Sequence, residues 1–519
     1  MTDKPDRVID WQHVEEAKDF LGSGLLGIEK ESLRVFNSNI SSLPHPKSLG
    51  SSLCNEFITT DFCEAQLELI TPPLANKNSV LLFLDDLHHF VSCNIGDEIF
   101  WPFSIPPKFF NTNEIKIAEY GTSNLAIFKH TYRKGLSYRY GREMQAISGL
   151  HYNYSLPYQI WESSFAEQHL SDSKDKRSSA YFHIIRNCYR LNWLLLYLFG
   201  ASPVVNSNFI KEDPKSFSKI NKDTYYLPYA TSLRMSDIGY RNSKRTNFHI
   251  STDSLDAYVR DLRKANETVS DEFLAMNKGK EEDFDLQLNP NIFQIEDEYY
   301  AIARAKSNDT NHLRFSNKLT STGVNFIELR SLDIDPFSSI GIDKYATLFI
   351  EAFLIYCFVE PSPFLSEEEI KRLDNNDLSV CKFGRDPNLL LKNQRKKISI
   401  KDWGNQVIHD MEAIINILDN EEGVYIKALD IMRSRINNSE ETISARILDK
   451  ISNEKTDFND LGSLIGSENK QKYLKKQTKN NKNWELLKQS ANDSLKKQKN
   501  LESSSQKSFK EFVSDYFEG

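Results

Sequence analysis

The stretch GIEKESLRV at residues 27–35 constrains this chain more than any other segment. Side chains alternate between the two faces of a strand, so Glu29 and Glu31 lie on one face and Ile28 on the other. Two carboxylates about 4 Å apart repel each other by roughly 4 kcal/mol at an effective dielectric of about 20. Such a pair needs either a cation between its members or direct contact with water. The segment alone therefore leaves a metal site and a solvent-facing strand equally open.

Three further segments are predicted to be strands with acidic or metal-binding side chains on the face away from the core. The segments are residues 57–73, 146–157 and 325–337, and the side chains are Asp61, Glu68, His151 and Glu328. If these segments and residues 27–35 form one antiparallel sheet, the side chains converge on one site. Carboxylate oxygens with a single histidine suit Mg²⁺ or Mn²⁺ better than Zn²⁺ or copper. A hydrogen-bonded structural histidine remains the alternative for His151.

Two arginines are predicted near the same site. Arg330 shares a strand face with Glu328, and Arg234 lies in the loop-rich stretch 225–242. Several metal ions beside these arginines would neutralise a polyphosphate, and phosphoryl transfer is stabilised in this way. The chain has no G-x-x-x-x-G-K-[ST] loop and no kinase motif set. Any nucleotide would therefore be held by metal and arginine on a sheet.

The remaining pattern predicts helices around these strands, together with one more strand pair. The helices are expected at residues 13–21, 79–93, 178–203, 254–265 and 343–360. Residues 286–306 are predicted to form a strand, a turn and a second strand. The stretch GSGLLG at 22–27 matches G-x-G-x-x-G, but a helix precedes it and a strand follows. The dinucleotide motif needs the opposite order, so we interpret these glycines as a turn.

The last third of the chain has a different character. From about Pro361 onward the sequence is strongly charged and mostly helical in pattern. Residues 453–500 are rich in Lys, Asn and Ser, with acidic residues interleaved among the lysines. A solvated helix or a partly ordered tail is therefore expected there, rather than a basic binding patch. The terminal FVSDYFEG is apolar enough to dock back onto the body.

The composition excludes several classes of protein. The net charge of −8 lacks the basic balance of a nucleic-acid binder. The six scattered cysteines exclude a zinc ribbon or a dense disulfide framework and fit reduced thiols in the cytoplasm. The N-terminus has no apolar signal region, and the most apolar run, 191–201, is too short to span a bilayer. We expect a cytoplasmic globular protein with neither nucleic-acid nor membrane partners.

Five stretches, in order, resemble the glutamate–cysteine ligase family of the proteobacterial type. They are GIEKESLRV, ITTDFCEAQLELITP, MQAISGLHYNYSLP, YLPYATSLRMSDIGY and FIELRSLDIDPF. The resemblance is dense from about residue 20 to 355 and weaker beyond, through TISARIL at 442–448. It implies an α+β fold in which a glutamine-synthetase-like antiparallel sheet, surrounded by helices, forms a funnel-shaped active site. The chain 1–519 would be one catalytic unit, with a charged helical region at about 361–519.

The resemblance also implies a reaction, which is the first step of glutathione synthesis. The γ-carboxylate of L-glutamate would be joined to the amine of L-cysteine, with ATP consumed and γ-glutamyl phosphate as the intermediate. The products would be γ-L-glutamyl-L-cysteine, ADP and phosphate. Two or three Mg²⁺ ions, or Mn²⁺, would serve as cofactors and ATP as co-substrate. Glutathione would be a feedback inhibitor, and the enzyme a monomer.

Matching the motifs residue by residue gives each candidate a role. The metal ligands would be Glu29, Glu31, Asp61, Glu68, His151 and Glu328. The cysteine pocket would be Phe62, Tyr132, Leu136, Gln145, Tyr240 and Tyr300. Glutamate would be held by Arg234 with the backbone near Ile147, and the ATP phosphates by Arg330 and Arg133. Arg330, Arg234 and Glu68 would be the catalytic residues, while roles for Ser444 and Arg446 stay open because the C-terminal third matches poorly.

Three other functions fit the same residues. One is a ligase with a different amine acceptor, and another is a metal-dependent phosphotransferase, since related sheets occur in guanidino kinases. The third is a non-catalytic relative that binds nucleotide or metal. The complete acidic set argues against the third, because a protein without activity has no need of every ligand. A panel of amine acceptors separates the first two from a cysteine ligase.

Overall fold

The computed structural model gives the positions of most of the chain. It describes residues 17–162, 173–210, 216–220, 223–240, 248–277, 284–419, 422–478, 481–504 and 507–518. The strands are β1 (Leu25–Phe36), β2 (Asn39–Ile40), β3 (Ile58–Thr60), β4 (Gln66–Ile70), β5 (Ile99–Phe100), β6 (Leu150–Ser155), β7 (Val204–Asn206), β8 (Ser218–Lys219), β9 (Thr224–Tyr226), β10 (Ala303–Lys306), β11 (Phe326–Leu332), β12 (Leu390–Asn393) and β13 (Lys396–Ser399).

Helices surround these strands along the whole chain. They are α1 (Lys18–Leu21), α2 (Lys77–Asn94), α3 (Asn124–Tyr140), α4 (Arg142–Gln145), α5 (Gln159–Glu162), α6 (Ser173–Phe199), α7 (Leu255–Glu267), α8 (Asp271–Met276), α9 (Phe315–Thr322), α10 (Lys344–Val359), α11 (Glu367–Phe383), α12 (Ile400–Leu418), α13 (Val424–Asn437), α14 (Ile443–Asn453), α15 (Phe458–Leu474), α16 (Lys482–Ser503) and α17 (Phe509–Glu518). The helices predicted at 79–93, 178–203, 254–265 and 343–360 are confirmed as α2, α6, α7 and α10. The helix predicted at 13–21 lies only partly within the described residues, where α1 ends at Leu21.

The central sheet is open and antiparallel. Its main path runs β10-β11-β6-β1-β4-β3, and the short strands β2 and β5 pair with the far end of β1. Strand β1 forms the axis, because it pairs with β6 over Leu25–Lys30 and with β4 over Glu29–Leu33. The single antiparallel sheet expected from the four predicted strands is therefore confirmed.

One face of this sheet is apolar and packs against helices α2, α6 and α10. Leu26 and Ile28 of β1, Leu67 of β4 and Tyr152 of β6 are fully buried on this face. The Tyr152 hydroxyl donates to the backbone oxygen of Thr347 in α10 at 2.9 Å. Burying apolar area gives about 25 cal/mol per Å², so this face fixes which side chains turn the other way. The alternate residues, including the two glutamates of β1, face a cavity.

A buried ion pair ties the helices to the back of strand β6. The Lys77 ammonium of α2 lies 2.6 Å from the Glu351 carboxylate of α10, and both side chains are buried. Glu351 also accepts hydrogen bonds from the hydroxyls of Tyr154, at 3.3 Å, and Tyr425, at 2.7 Å. Burial raises the pKa of Glu351, and the Lys77 ammonium opposes that rise. The carboxylate therefore joins α2, β6, α10 and α13 at one point.

The prediction of two strands within residues 286–306 is half wrong. Only the second strand exists, as β10, and a short 3-10 turn at Glu296–Glu298 precedes it. Side-chain amides replace the backbone pairing that a strand would need. The Leu288 amide donates to Gln294 Oε1 at 3.0 Å, and the Asn289 side chain donates to the Gln294 backbone oxygen at 2.9 Å. An alternating pattern of polar residues cannot distinguish this amide-bonded loop from a strand.

The C-terminal region folds onto the body as helices. Helices α15 and α16 pack against α2, and they bury Phe458, Leu461 and Leu487 while most of the surface of α16 stays exposed. The expectation of a solvated helix is therefore confirmed, and so is the docking of the terminal segment, which forms α17 against α3. No helix of the described residues is long and apolar enough to cross a membrane. None of the six cysteines, all of them described, forms a disulfide.

We expect a Glu351→Gln substitution to lower the free energy of unfolding by about 3–5 kcal/mol, because it leaves the Lys77 ammonium buried without its counter-charge. Urea denaturation followed by tryptophan fluorescence measures the change. A Lys496→Gln control removes the exposed pair with Asp493 and should have almost no effect. Equal effects of the two substitutions would contradict a stabilising role for the buried pair.

Candidate active site

The register of the sheet brings the predicted acidic residues together. Glu29 of β1 lies opposite His151 of β6, and Glu31 lies opposite Glu68 of β4. Glu328 follows on β11, the strand beyond β6. Residues that face each other across an antiparallel pair have side chains on the same face of the sheet. The convergence predicted from strand alternation is therefore present.

His151 lies at the centre of this cluster. Its Nδ1 atom is 3.3 Å from a Glu29 oxygen and 3.6 Å from a Glu328 oxygen. Its Nε2 atom is 3.6 Å from a Glu31 oxygen. One ligand atom each from Glu29, Glu68 and His151 lie within 4.8 Å of one another. The spacing is that of side chains which can share a bound cation.

The carboxylates of the cluster carry more negative charge than their neighbours balance. Burial, together with Asp61 and Glu68, raises the pKa of Glu31 well above its ordinary value. Burial, together with Glu29 and Asp61, raises the pKa of Glu68 to about 8. Both shifts favour the protonated carboxyl, because burial and the neighbouring carboxylates outweigh the effect of the nearby arginines. A divalent ion at this end of the cluster would take the place of those protons.

The opposite end of the cluster is balanced by cations. Burial alone would raise the pKa of Glu328, but Lys306 and Arg330 hold it well below its usual range. The Arg330 guanidinium donates to a Glu328 oxygen at 2.9 Å, and the Lys306 ammonium donates to the other oxygen at 3.4 Å. Burial and the positive charge of Arg330 lower the pKa of His151, which favours the neutral imidazole that binds metals.

Arg234 is a buried cation with a fixed position. Its guanidinium donates to Asp333 at 3.4 Å and to the backbone oxygen of Arg330 at 3.0 Å. Asp333 is itself held by the hydroxyls of Ser202, at 2.6 Å, and Ser232, at 3.0 Å. Within the described residues, the buried Nε atoms of Arg234 and Arg330 have no hydrogen-bond partner. Buried N–H donors of this kind are normally paired, so a bound anion would complete both groups.

Gly149 makes room for the Arg234 guanidinium. A Cβ atom at this position would lie 2.2 Å from a guanidinium nitrogen of Arg234. The Gly149 amide donates to a Glu31 oxygen at 2.7 Å. Any larger residue would push the arginine away from the sheet. The glycine in the segment AISGLHYNYS therefore allows the Arg234 guanidinium to lie close to the backbone of the sheet.

Two tyrosine rings link the arginines to the wall of the cavity. Tyr240 and Tyr300 stack with ring centres 4.3 Å apart and planes 9° from parallel. The Arg234 guanidinium lies 5.3 Å from the centre of the Tyr240 ring, and the Arg330 guanidinium lies 5.5 Å from that of Tyr300. The Tyr240 hydroxyl donates to the backbone oxygen of Ile147 at 2.8 Å. Cation–π contacts therefore fix the rings and the arginines together.

Helix α3 supplies another wall. Its cavity-lining residues follow the helical spacing of one face: Leu125, Phe128, Lys129, Tyr132, Arg133, Leu136 and Tyr140. Arg133 donates to the backbone oxygen of Asp61 and lies 4.8 Å from the centre of the Tyr120 ring. The helix thus carries both an apolar strip and a guanidinium toward the acidic cluster.

The cavity has a volume of about 530 Å³ and takes in nearly every predicted site residue. The predicted residues that line it are Glu29, Glu31, Asp61, Phe62, Glu68, Tyr132, Arg133, Leu136, Gln145, His151, Arg234, Tyr240, Tyr300, Glu328 and Arg330. Ile147 is not among them, because its side chain is fully buried and only its backbone oxygen reaches Tyr240. Ser444 and Arg446, whose roles the sequence leaves open, do not line the cavity.

Several cavity residues were not predicted from the sequence. Some are apolar or acidic, namely Leu125, Phe128, Tyr140, Ile295, Asp297, Glu298 and Leu313, and the others are basic or near the C-terminus, namely Lys129, Arg304, Lys306, Lys318 and Tyr516. Arg304 and Lys306 alternate along β10, so strand periodicity beside the strand of Glu328 was a usable signal. Tyr516 carries no local signal, because its position depends on how α17 packs.

Comparison with known proteins supports the same conclusion as the geometry. A model of the glutamate–cysteine ligase family matches residues 9–380. The chain belongs to the glutamate–cysteine ligase family. It is 40% identical over 496 residues to the glutamate–cysteine ligase of Pseudomonas putida, covering 95% of this chain and 94% of that protein. It is 41% identical over 434 residues to that of Pseudomonas entomophila, covering 83% and 82%.

A solved structure supports the fold independently. The crystal structure of glutamate–cysteine ligase from Francisella tularensis in complex with AMP superposes with a TM-score of 0.89 and 33% identity. The match covers 96% of this chain and 98% of that one. The family expected from the five sequence stretches, and the antiparallel sheet surrounded by helices, are therefore both confirmed.

The acidic cluster should make the stability of the metal-free protein depend on pH. Glu68 has a pKa of about 8 when folded, against 4.5 for its ordinary value. The folded state holds a proton that the unfolded chain releases, so stability from this group is present below 4.5 and is lost as the pH rises toward 8. We expect a Glu68→Gln variant, unfolded with urea in EDTA, to lose less stability over this range than the unchanged protein.

A Glu412→Gln variant on the surface is the matched control, and it should keep the full pH dependence. Adding Mg²⁺ should flatten the dependence of the unchanged protein, because bound ions replace protons. Identical pH profiles for the Glu68→Gln variant and the unchanged protein would show that Glu68 does not titrate in this way.

Proposed function

We propose that the cavity joins glutamate to cysteine through an acyl phosphate, with the sheet carboxylates, His151 and two arginines as its working groups. The activity itself follows from the family, which is named for the ATP-dependent ligation that gives γ-glutamylcysteine. The observation that carries the mechanism is the convergence of the acidic cluster and of Arg234 and Arg330 in one cavity. A carboxylate substrate, a polyphosphate and divalent ions all have complementary charges there.

The acidic cluster has the chemistry of a site for hard divalent cations. Its donors are carboxylate oxygens and one imidazole, a set that binds Mg²⁺ or Mn²⁺. The raised pKa values of Glu31 and Glu68 indicate that the cluster holds more carboxylates than its neighbouring cations can neutralise. A bound divalent cation would supply the missing positive charge. We assign Glu29, Glu31, Asp61, Glu68, His151 and Glu328 as the ligands of two or three ions. When bound, these ions would offset the charge of the ATP phosphates.

The first step activates the glutamate. An oxygen of its γ-carboxylate attacks the γ-phosphorus of ATP, the bond to the bridging oxygen breaks, and ADP leaves. Arg330 donates to the phosphoryl oxygens, and its Nε–H has no other partner within the described residues. Arg133, on the facing helix α3, is the second phosphate contact. Fixed guanidinium groups stabilise the charge that develops on the transferring group.

The second step forms the amide. The cysteine nitrogen attacks the γ-acyl carbon, the carbon–oxygen bond to phosphate breaks, and the nitrogen loses a proton as phosphate leaves. Arg234 holds the glutamate, because Asp333 and the Arg330 backbone fix one side of its guanidinium while the other side lines the cavity. Holding both reactants in one place replaces an encounter in solution with an intramolecular attack.

The aromatic side of the cavity is the place for the cysteine side chain. Phe62, Tyr132 and Leu136 present apolar surface beside the stacked rings of Tyr240 and Tyr300. Gln145 adds an amide that can hydrogen-bond the amino-acid backbone. A small polarizable thiol packs well against aromatic rings. We assign these residues as the acceptor pocket, and we assign the backbone near Ile147, together with Arg234, to the glutamate.

We also propose that the chain acts as one catalytic unit, as a monomer, in the cytoplasm. One apolar core runs from the strands of the sheet to Leu487 in α16. Six cysteines without a disulfide fit a reducing compartment. Glutathione contains the γ-glutamylcysteine product within it, so it fits the same pocket and would inhibit by occupying it.

We expect release of ADP and phosphate to require both glutamate and an amine, with L-cysteine preferred over L-alanine and L-2-aminobutyrate by at least about tenfold in kcat/KM. The sulfur is the only feature that the other two acceptors lack, and the aromatic pocket is built for it. A coupled assay of ADP release across this panel measures the preference. A phosphorylated product without an amide would instead indicate a phosphotransferase.

We expect a Tyr240→Phe substitution to raise the KM for cysteine by about 5–10-fold, because one hydrogen bond that positions the ring is lost. The KM for glutamate should change much less. The matched control is Tyr197→Phe, which removes a 3.1 Å hydrogen bond from a buried tyrosine to a backbone oxygen outside the cavity. An equal rise in the KM values for cysteine and glutamate would remove Tyr240 from the acceptor pocket.

A further inference from the structure

The C-terminal helix α17 reaches the catalytic cavity from the far end of the chain. Tyr516 lines the cavity, whereas every other lining residue of the described structure lies between Glu29 and Arg330. Tyr516 is 9% exposed, and its ring lies 4.6 Å from that of Phe128 on α3. The helix therefore contributes a wall that neither the sheet nor its connecting segments supply.

Side-chain packing holds this helix against the cavity wall. Phe128, Leu288, Ile295, Val513 and Tyr516 form a small apolar cluster that is separate from the main core. Tyr132, an acceptor-pocket residue, packs against both this cluster and the main core. The position of Tyr132 therefore depends on the C-terminal helix as well as on the body of the protein.

One polar anchor complements this packing. Arg314, just before α9, donates to the backbone oxygen of Phe517 at 2.8 Å and to a Glu296 oxygen at 2.8 Å. Glu296 begins the 3-10 turn whose next two residues, Asp297 and Glu298, line the cavity. The helix end is thus tied to the same turn that shapes the site.

We propose that Tyr516 is a specificity-determining residue, which closes the acceptor pocket behind Tyr132 and limits the size of the amino-acid side chain. This inference rests on the proposed assignment of that pocket. The proposed phosphate contacts, Arg330 and Arg133, donate to Glu328 and to the backbone of Asp61 at the acidic cluster. Tyr516 instead packs with Phe128 and Tyr132, on the side of the cavity that carries the acceptor pocket. Burial and nearby carboxylates, Asp297 among them, raise the pKa of the Tyr516 and Tyr132 hydroxyls, so both are neutral groups.

The test compares Tyr516→Ala with Val513→Ala. Both substitutions remove buried apolar atoms from the same cluster, but only Tyr516 lines the cavity. For Tyr516→Ala we expect the KM for cysteine to rise and the kcat/KM preference for L-cysteine over the bulkier S-methyl-L-cysteine to fall, each by about 10-fold. The KM values for ATP and glutamate should stay near those of the unchanged protein. Val513→Ala should keep the original preference.

Tyr516→Leu preserves apolar packing, and it replaces Tyr516→Ala if the latter does not fold. Equal changes in Tyr516→Ala and Val513→Ala, or a rise in the KM for ATP instead of cysteine, would overturn the proposal. Tyr240→Phe tests the pocket itself. If Tyr240→Phe shifts the KM for cysteine and Tyr516→Ala does not, only the role of Tyr516 fails. If neither does, the pocket assignment fails.

Discussion

The burial of one face of strand β1 is the constraint on which the site depends. Leu26 and Ile28 are fully buried against the helices, so Glu29 and Glu31 must face the cavity although their charges repel. A slip of one residue in the pairing would exchange the two faces, at a cost that the apolar core makes prohibitive. The register that satisfies the core is thus also the register that places Glu29 opposite His151 and Glu31 opposite Glu68. The free energy gained by burying the apolar face of β1 therefore stabilises the mutually repelling carboxylates on its cavity face.

The charges of the cavity are distributed unevenly: one end has an excess of carboxylates, and the other end has cations that balance its carboxylate. Around Glu31 and Glu68, buried carboxylates outnumber cations, which favours bound metal. Around Glu328, the ammonium of Lys306 and the guanidinium of Arg330 already balance the carboxylate. Under the proposed function, an incoming phosphate would meet positive side chains at one end of the cavity and bound ions at the other. The uneven charge would then orient the phosphate as it enters the cavity.

Much of this site was readable from the sequence, because a strand with one buried face has a simple period of two. Alternation placed Glu29, Glu68 and Glu328 on polar faces, and the family resemblance added the aromatic pocket. Strand alternation failed to predict the structure where tertiary packing determines the conformation or position of a segment. The loop around Gln294 alternates like a strand but satisfies its backbone with side-chain amides. Tyr516 reaches the cavity only through the docking of a helix from the opposite end of the chain, and no local pattern encodes that contact.

The hydrogen bond from Arg234 to the backbone oxygen of Arg330 has a consequence for how the two arginines are positioned. The group proposed to hold glutamate, Arg234, lies on a short 3-10 turn and is held against β11, which carries the group proposed to meet the phosphoryl, with Asp333 just beyond the end of that strand. The accepting atom belongs to the backbone, so it remains when the side chain of residue 330 is changed, but a shift of β11 itself would move both guanidinium groups. Under the proposed function, the two halves of the reaction are thereby coupled through the backbone of one strand.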